Sequence, residues 1–124
     1  MPRPILLVED DEDCRTLYRL ALEYFGYRVV EAVDGMDGVS AAHRDVPGLV
    51  IMDLSLPRMD GYDTLRALRD NPATAAVPAL ALTGHVTDRD RARALAAGFD
   101  LFLSKPVPPS EVLDHVRRLV GPPD

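Results

Sequence analysis

The sequence predicts an α/β fold, a doubly wound open sheet of five parallel strands with five helices packed on its two faces. Three observations carry this. Ile5-Leu6-Leu7-Val8 and Leu49-Val50-Ile51-Met52 are apolar at every position, as strands covered on both faces require. After each strand run the apolar residues switch to helical spacing. The links between elements are short, and right-handed helical crossovers between parallel strands are the simple way to make them. A closed barrel of such units needs eight of them, so this sheet stays open.

Taken in order, Ile5–Val8 is the first strand. Cys14, Leu17, Ala21, Tyr24 and Phe25 recur at helical spacing after it, and Gly26 supplies the stop. Val29-Val30 marks a short strand within Arg28–Ala32. Met36, Val39 and Ala42 mark a helix that ends before Pro47-Gly48, and Leu49–Met52 follows as the third strand. Tyr62, Leu65 and Leu68 form the stripe of a helix ending near Asn71-Pro72. Pro78-Ala79-Leu80-Ala81-Leu82 reads as the fourth strand. Ala92, Leu95 and Ala96 mark a helix closed by Gly98, and Leu101-Phe102-Leu103 is the last strand. Val112, Leu113, Val116 and Leu119-Val120 mark the last helix, before Gly121-Pro122-Pro123.

The 124 residues fit a single domain, 1–124, with no room for an output domain after Val120. With 47% hydrophobic and 27% charged residues the chain suits a soluble globular protein. One cysteine, Cys14, excludes an internal disulfide and a Cys-rich zinc site. The formal net charge of −6 argues against a general nucleic-acid surface. No apolar run approaches the ~20 residues that span a bilayer, and the first apolar stretch is too short for a signal-peptide core. The expected location is the cytoplasm, with neither nucleic acid nor membrane as a partner.

In open α/β sheets the site lies beyond the carboxyl ends of the strands. There the first strand delivers Glu9-Asp10-Asp11, the third Asp53, the fourth Thr83-Gly84 and the fifth Ser104-Lys105-Pro106. Two unit charges ~5 Å apart repel by about 3 kcal/mol at an effective dielectric of 20, so carboxylates from two strands need a cation or a proton among them. An all-oxygen donor set favours a hard ion, and a few carboxylates with water suit Mg²⁺. Lys105 is a second positive group and the only lysine among fourteen Lys and Arg residues. A compact ammonium acts as a point charge where a guanidinium fork does not. Asp11 and Glu12 read instead as acids placed against the dipole of the helix that follows.

Glu9-Asp10, Asp53 with Leu54-Ser55-Leu56-Pro57-Arg58-Met59-Asp60-Gly61 after it, Thr83, and Lys105-Pro106 together resemble the receiver domains of two-component response regulators, from Ile5 to about Val120. The resemblance implies a flavodoxin-like (βα)5 sheet of order 2-1-3-4-5. It implies Asp53 as phosphoacceptor, with Mg²⁺ held by Asp10, Glu9, Asp53 and the backbone carbonyl of Ser55. Lys105 would pair with the acceptor and then with the phosphoryl group. Thr83 would donate its hydroxyl to a phosphoryl oxygen, with Gly84 leaving room. Phe102 matches the aromatic switch position, and reads equally as plain core. The Lys105-Pro106 bond is cis in the family. Ser55 and His85 flank the path of attacking water and would tune dephosphorylation.

The implied partners are a sensor histidine kinase or histidine phosphotransfer protein, and a downstream protein. The latter would meet the surface of the fourth helix, fifth strand and fifth helix. The Arg89-Asp90-Arg91-Ala92-Arg93 run most simply makes a solvated face of that fourth helix, and it is also a candidate partner contact. His43 and His115 read as helix surface. The expectation is no enzyme, beyond catalysis of its own phosphorylation and dephosphorylation. A stand-alone regulator and a receiver cut from a longer protein both fit. The alternatives are a small Mg²⁺-dependent phosphatase with an Asp nucleophile and a phosphorylation-independent interaction module. The first typically has a second Asp two residues after the nucleophile, where this chain has Ser55.

Overall fold

The computed structural model describes residues 3–56, 59–84 and 87–123. Strands and helices alternate in the order β1 (Ile5–Val8), α1 (Glu12–Tyr24), β2 (Val29–Ala32), α2 (Gly35–Arg44), β3 (Leu49–Asp53), α3 (Gly61–Asp70), β4 (Ala79–Thr83), α4 (Asp88–Ala97), β5 (Leu101–Ser104) and α5 (Pro109–Val120). All strand pairs are parallel and the sheet order is β2-β1-β3-β4-β5. The order in which strands are added reverses at β1, which pairs with both β2 and β3, and this opens the crevice where such sheets bind their ligands.

Alternate strand residues point to opposite faces and build two cores. Leu6, Val8, Val50, Met52, Ala79, Ala81 and Phe102 pack with Ala41, Leu65, Leu68 and Ala94 from α2, α3 and α4. Ile5, Leu7, Leu49, Ile51, Leu80 and Leu82 pack on the other side with Tyr18, Leu22, Val112, Leu113 and Val116 from α1 and α5. Side-chain oxygens satisfy the open N–H groups where four helices start. Asp11 accepts from Asp13 and Cys14, Asp34 from Asp37, Asp60 from Asp63, and Thr87 forms a reciprocal box with Asp90. Gly98, at φ +111°, closes α4.

The helix boundaries follow the sequence, but three of the expected buried stripes depart from it. On α1 the residues turned inward are Tyr18 and Leu22, whereas Leu17, Tyr24 and Phe25 are exposed. The helix carries apolar residues on more than one side, and a 3.6-residue period alone cannot say which side meets the sheet. On α4 only Ala94 is buried, and Ala92, Leu95 and Ala96 face outward. On α2 Met36 is exposed, and the small residues Gly38, Ala41 and Ala42 make the contact instead.

One glycine is demanded by close packing next to the acidic rim. A Cβ on Gly61 would stand 2.8 Å from the Leu54 Cα and 2.9 Å from the Asp53 carbonyl oxygen. Its N–H donates to the Leu54 carbonyl at 3.0 Å, which folds the start of α3 back under the end of β3. Backbone atoms cannot swing aside as a flexible side chain can. Gly61→Ala should therefore cost about 1–3 kcal/mol in urea denaturation. An unchanged midpoint would show that the loop between β3 and α3 yields freely.

Candidate functional site

Four of the five strand ends, those of β1, β3, β4 and β5, deliver a polar residue to one rim. Val8 pairs with Met52, so Glu9 follows β1 beside Asp53, the last residue of β3. Thr83 pairs with Ser104, and Lys105 comes next in the chain. The Lys105 N–H donates to the Thr83 carbonyl at 2.7 Å, so threonine and lysine leave adjacent strands already tied together. The Lys105-Pro106 bond is cis, as the resemblance implies. Just beyond it, the Tyr18 hydroxyl donates to the Val107 carbonyl at 2.9 Å and fastens this turn to α1.

Lys105 is the hub of the charges. Its Nζ donates to Glu9 Oε1 at 2.5 Å and to Asp53 Oδ2 at 3.1 Å, bridging strands that are far apart in sequence. The other Asp53 oxygen, Oδ1, accepts the Ser55 N–H at 2.9 Å. The Asp53 side chain is 11% exposed, so it is held in place yet open to solvent. Glu9 is buried, Asp10 is exposed, and carboxylate oxygens of Glu9, Asp10 and Asp53 all lie within 4.8 Å of one another.

The electrostatics follow from that crowding. Burial pushes the Glu9 carboxyl up to about 7; the hydrogen bond from Lys105 works against this and the neighbouring Asp53 works with it. For Lys105, burial acts to lower the ammonium, but its bonds to Glu9 and Asp53 outweigh burial and hold it above the ordinary lysine range. Lys105 therefore stays charged wherever the protein works.

The donor set fits a divalent cation. Three carboxylates offer only oxygen ligands, the preference of Mg²⁺. Among the described residues Glu9 Oε2 is buried with no hydrogen-bond partner, a costly arrangement unless something positive or protonated sits there. One ammonium leaves the three carboxylates with a surplus of negative charge, which a divalent ion would offset.

The remaining expected residues fall as follows. Thr83 is buried at the rim, and Ser55 is exposed. A Cβ on Gly84 would meet nothing within 4 Å, so the resting fold makes no demand for glycine there. Phe102 is buried in the core, with the Arg91 guanidinium 5.0 Å from its ring centroid. His85 and Pro57 lie outside the described residues. His43 is on the surface of α2, its Nε2 3.0 Å from Asn71 Nδ2, and His115 stands near Glu111 on α5.

The arginine run of α4 is not simply solvated. Arg91 also donates to the Phe102 carbonyl at 3.2 Å, and Arg93 lies 3.9 Å over the Tyr62 ring. Arg93, Tyr62, Asp60 and Asp90 line a cavity of about 300 Å³ that reaches Leu54, Ser55 and Thr83 at the rim. Sequence reasoning also missed Arg15, whose side chain donates to the Glu9 carbonyl. A lone arginine one turn into a helix gives no sequence signal of that contact.

Comparison with known proteins agrees with this geometry. The family model described as response regulator receiver domain matches residues 5–117. The chain is 38% identical over 122 residues to an uncharacterized 14.6 kDa protein in the sodA1 3' region of Leptolyngbya boryana, covering 97% of this chain and 93% of that protein. It is also 38% identical over 120 residues to the DNA-binding dual master transcriptional regulator RpaA of Synechocystis. That match covers 97% of this chain and 49% of RpaA, so the chain spans about half of that relative. Among solved structures, the receiver domain of sensor histidine kinase PA1611 from Pseudomonas aeruginosa superposes with a TM-score of 0.88 at 35% identity. The match covers 98% of this chain and 99% of that one, and that structure has a magnesium ion coordinated in its active site cleft.

The raised Glu9 carboxyl has a measurable consequence when no divalent ion is present. Folded Glu9 holds its proton more tightly than unfolded Glu9. Its stabilising contribution is therefore full below about pH 4.5 and is lost as the pH rises through about 7. Urea denaturation in chelator should show the parent losing roughly 2–3 kcal/mol relative to Glu9→Gln across that window. A gap that stays constant over the window would mean Glu9 ionises alike in both states.

Proposed function

Because the chain belongs to the response regulator receiver domain family, we propose that it acts as the phosphoacceptor of a two-component or phosphorelay pathway. Asp53 takes a phosphoryl group from a phosphohistidine on a sensor histidine kinase or a histidine phosphotransfer protein. The observation that carries this reading is the setting of Asp53. Its two oxygens are held apart by the Ser55 N–H and Lys105, within one acidic cluster with Glu9 and Asp10.

An Asp53 oxygen forms the new O–P bond as the N–P bond of the phosphohistidine breaks. The departing imidazole keeps the electron pair and takes up a proton. Glu9, Asp10, Asp53 and the Ser55 carbonyl are the groups that would hold Mg²⁺, which supplies neutralisation of the acceptor and phosphoryl oxygens. Asp53 is held ready by two hydrogen bonds, and in this reaction class positioning and electrostatics do most of the catalysis. Lys105 remains an ammonium throughout and follows the negative charge from the carboxylate to the phosphoryl oxygens. The Thr83 hydroxyl donates to one of those oxygens, and the open space beside Gly84 supports room for the group.

A phosphoryl group adds about two negative charges and strong acceptor oxygens. Movement of Thr83 toward them vacates space that Phe102 can fill, which alters the surface of α4, β5 and α5 through the Arg91 contact. The modification shifts the balance of two states through the Thr83 and Lys105 contacts. A downstream protein reads that surface. The protein turns over no external substrate and catalyses only its own phosphorylation and dephosphorylation. Among the described residues no helix is long and apolar enough to cross a membrane, and we place the protein in the cytoplasm.

Incubation with acetyl phosphate and Mg²⁺ should add the mass of one phosphoryl group, and Asp53→Asn should abolish the adduct. No adduct on the parent, or one that survives in Asp53→Asn, ends this reading. With beryllofluoride as phosphoryl mimic, amide NMR should show changes reaching α4 and β5; changes confined to the rim would remove the switch. His85→Ala should alter the autodephosphorylation rate, and an unaltered rate would remove His85 from the tuning role it shares with Ser55.

A further inference from the structure

Asp10 is exposed and, among the described residues, its carboxylate has no hydrogen bond or ion pair of its own. Its place in the acidic cluster is therefore set by the backbone alone. That backbone is held on both sides of Asp10, by a side chain before it and by the first turn of α1 after it. The Arg15 guanidinium donates from Nη1 to the Glu9 carbonyl at 2.9 Å, and the Arg15 main-chain N–H donates to the Asp11 carbonyl at 2.9 Å.

The guanidinium is itself aimed. Its Nε lies 3.3 Å from Glu31 Oε1 on β2, and the Arg15 side chain is only 15% exposed. Glu31 is shared with Arg19, whose Nε is also 3.3 Å away. The Glu9 N–H donates to the Ala32 carbonyl at 3.0 Å, so both polar groups of the Glu9 backbone are engaged.

We propose that Arg15 is a positioning residue for the cation site: its guanidinium holds the Glu9 carbonyl just before Asp10 and, with the helical turn that holds Asp11 just after it, fixes where that carboxylate stands relative to Glu9 and Asp53. This rests on the reading of the rim as a Mg²⁺-dependent phosphoacceptor centre. Groups that orient metal-binding residues commonly govern affinity without touching the ion. The sign of the effect separates this role from a simple charge effect. Arg15 is a cation, so deleting it should tighten cation binding if charge alone matters, and weaken binding if it holds Asp10 in place.

Isothermal titration with Mg²⁺ alone, without any phosphodonor, tests this on folded parent, Arg15→Met and Arg15→Lys. The expected result is an affinity about tenfold weaker for Arg15→Met, with Arg15→Lys between the two. Equal or tighter binding by Arg15→Met overturns the positioning role while leaving the phosphoacceptor reading intact. A parent that binds no Mg²⁺ sinks both. Should Arg15→Met fail to fold, Arg15→Lys decides, since it keeps the charge. Weaker binding by that variant then supports the bracket, and equal binding overturns it.

Discussion

The bridge from Lys105 to Glu9 and Asp53 is the interaction on which the site depends. It joins the turn after β5 to the ends of β1 and β3, and it places a positive charge between carboxylates from two strands. The bridge is incomplete as a neutraliser. One ammonium faces three acids, and the surplus falls on Glu9, the most buried of them, whose Oε2 has no partner among the described residues. A proton or a divalent ion would each offset that surplus. Asp53 thus stands in surroundings that its one ammonium leaves under-neutralised.

What the sequence made legible was whatever depends on chain order. Once Leu49–Met52 reads as a buried parallel strand, Asp53 must emerge at the site rim, and the same logic delivers Glu9, Thr83 and Lys105. Close approach is partly legible too. Gly61 is part of the family resemblance, and its reason is the backbone of Asp53 and Leu54 directly beneath it.

Side-chain direction within helices was less legible. Tyr18 and Leu22 were hidden among other apolar residues of α1, and the choice between faces was made by the sheet rather than by the helix. Arginines were the hardest to read. In sequence Arg15, Arg91 and Arg93 look like solvent-facing charges. In the fold they bind a carbonyl, cover a phenylalanine and stack on a tyrosine, because partners on distant strands and helices happen to lie within reach of long side chains.

The attachment of α4 is unusual in the same way. Ala94 is its one buried residue, and among the described residues Arg91 ties the helix to β5 and Arg93 stacks on α3. Each exposed guanidinium–ring contact is worth about 0.5–1 kcal/mol, so the helix lies on the molecule lightly. Lifting it would uncover little apolar area, and the heat-capacity increment and denaturant slope of that opening would be correspondingly slight. Calorimetry would pass over such an excursion almost without trace. Deuterium uptake at the α4 amides would register it directly, well below the free energy of global unfolding.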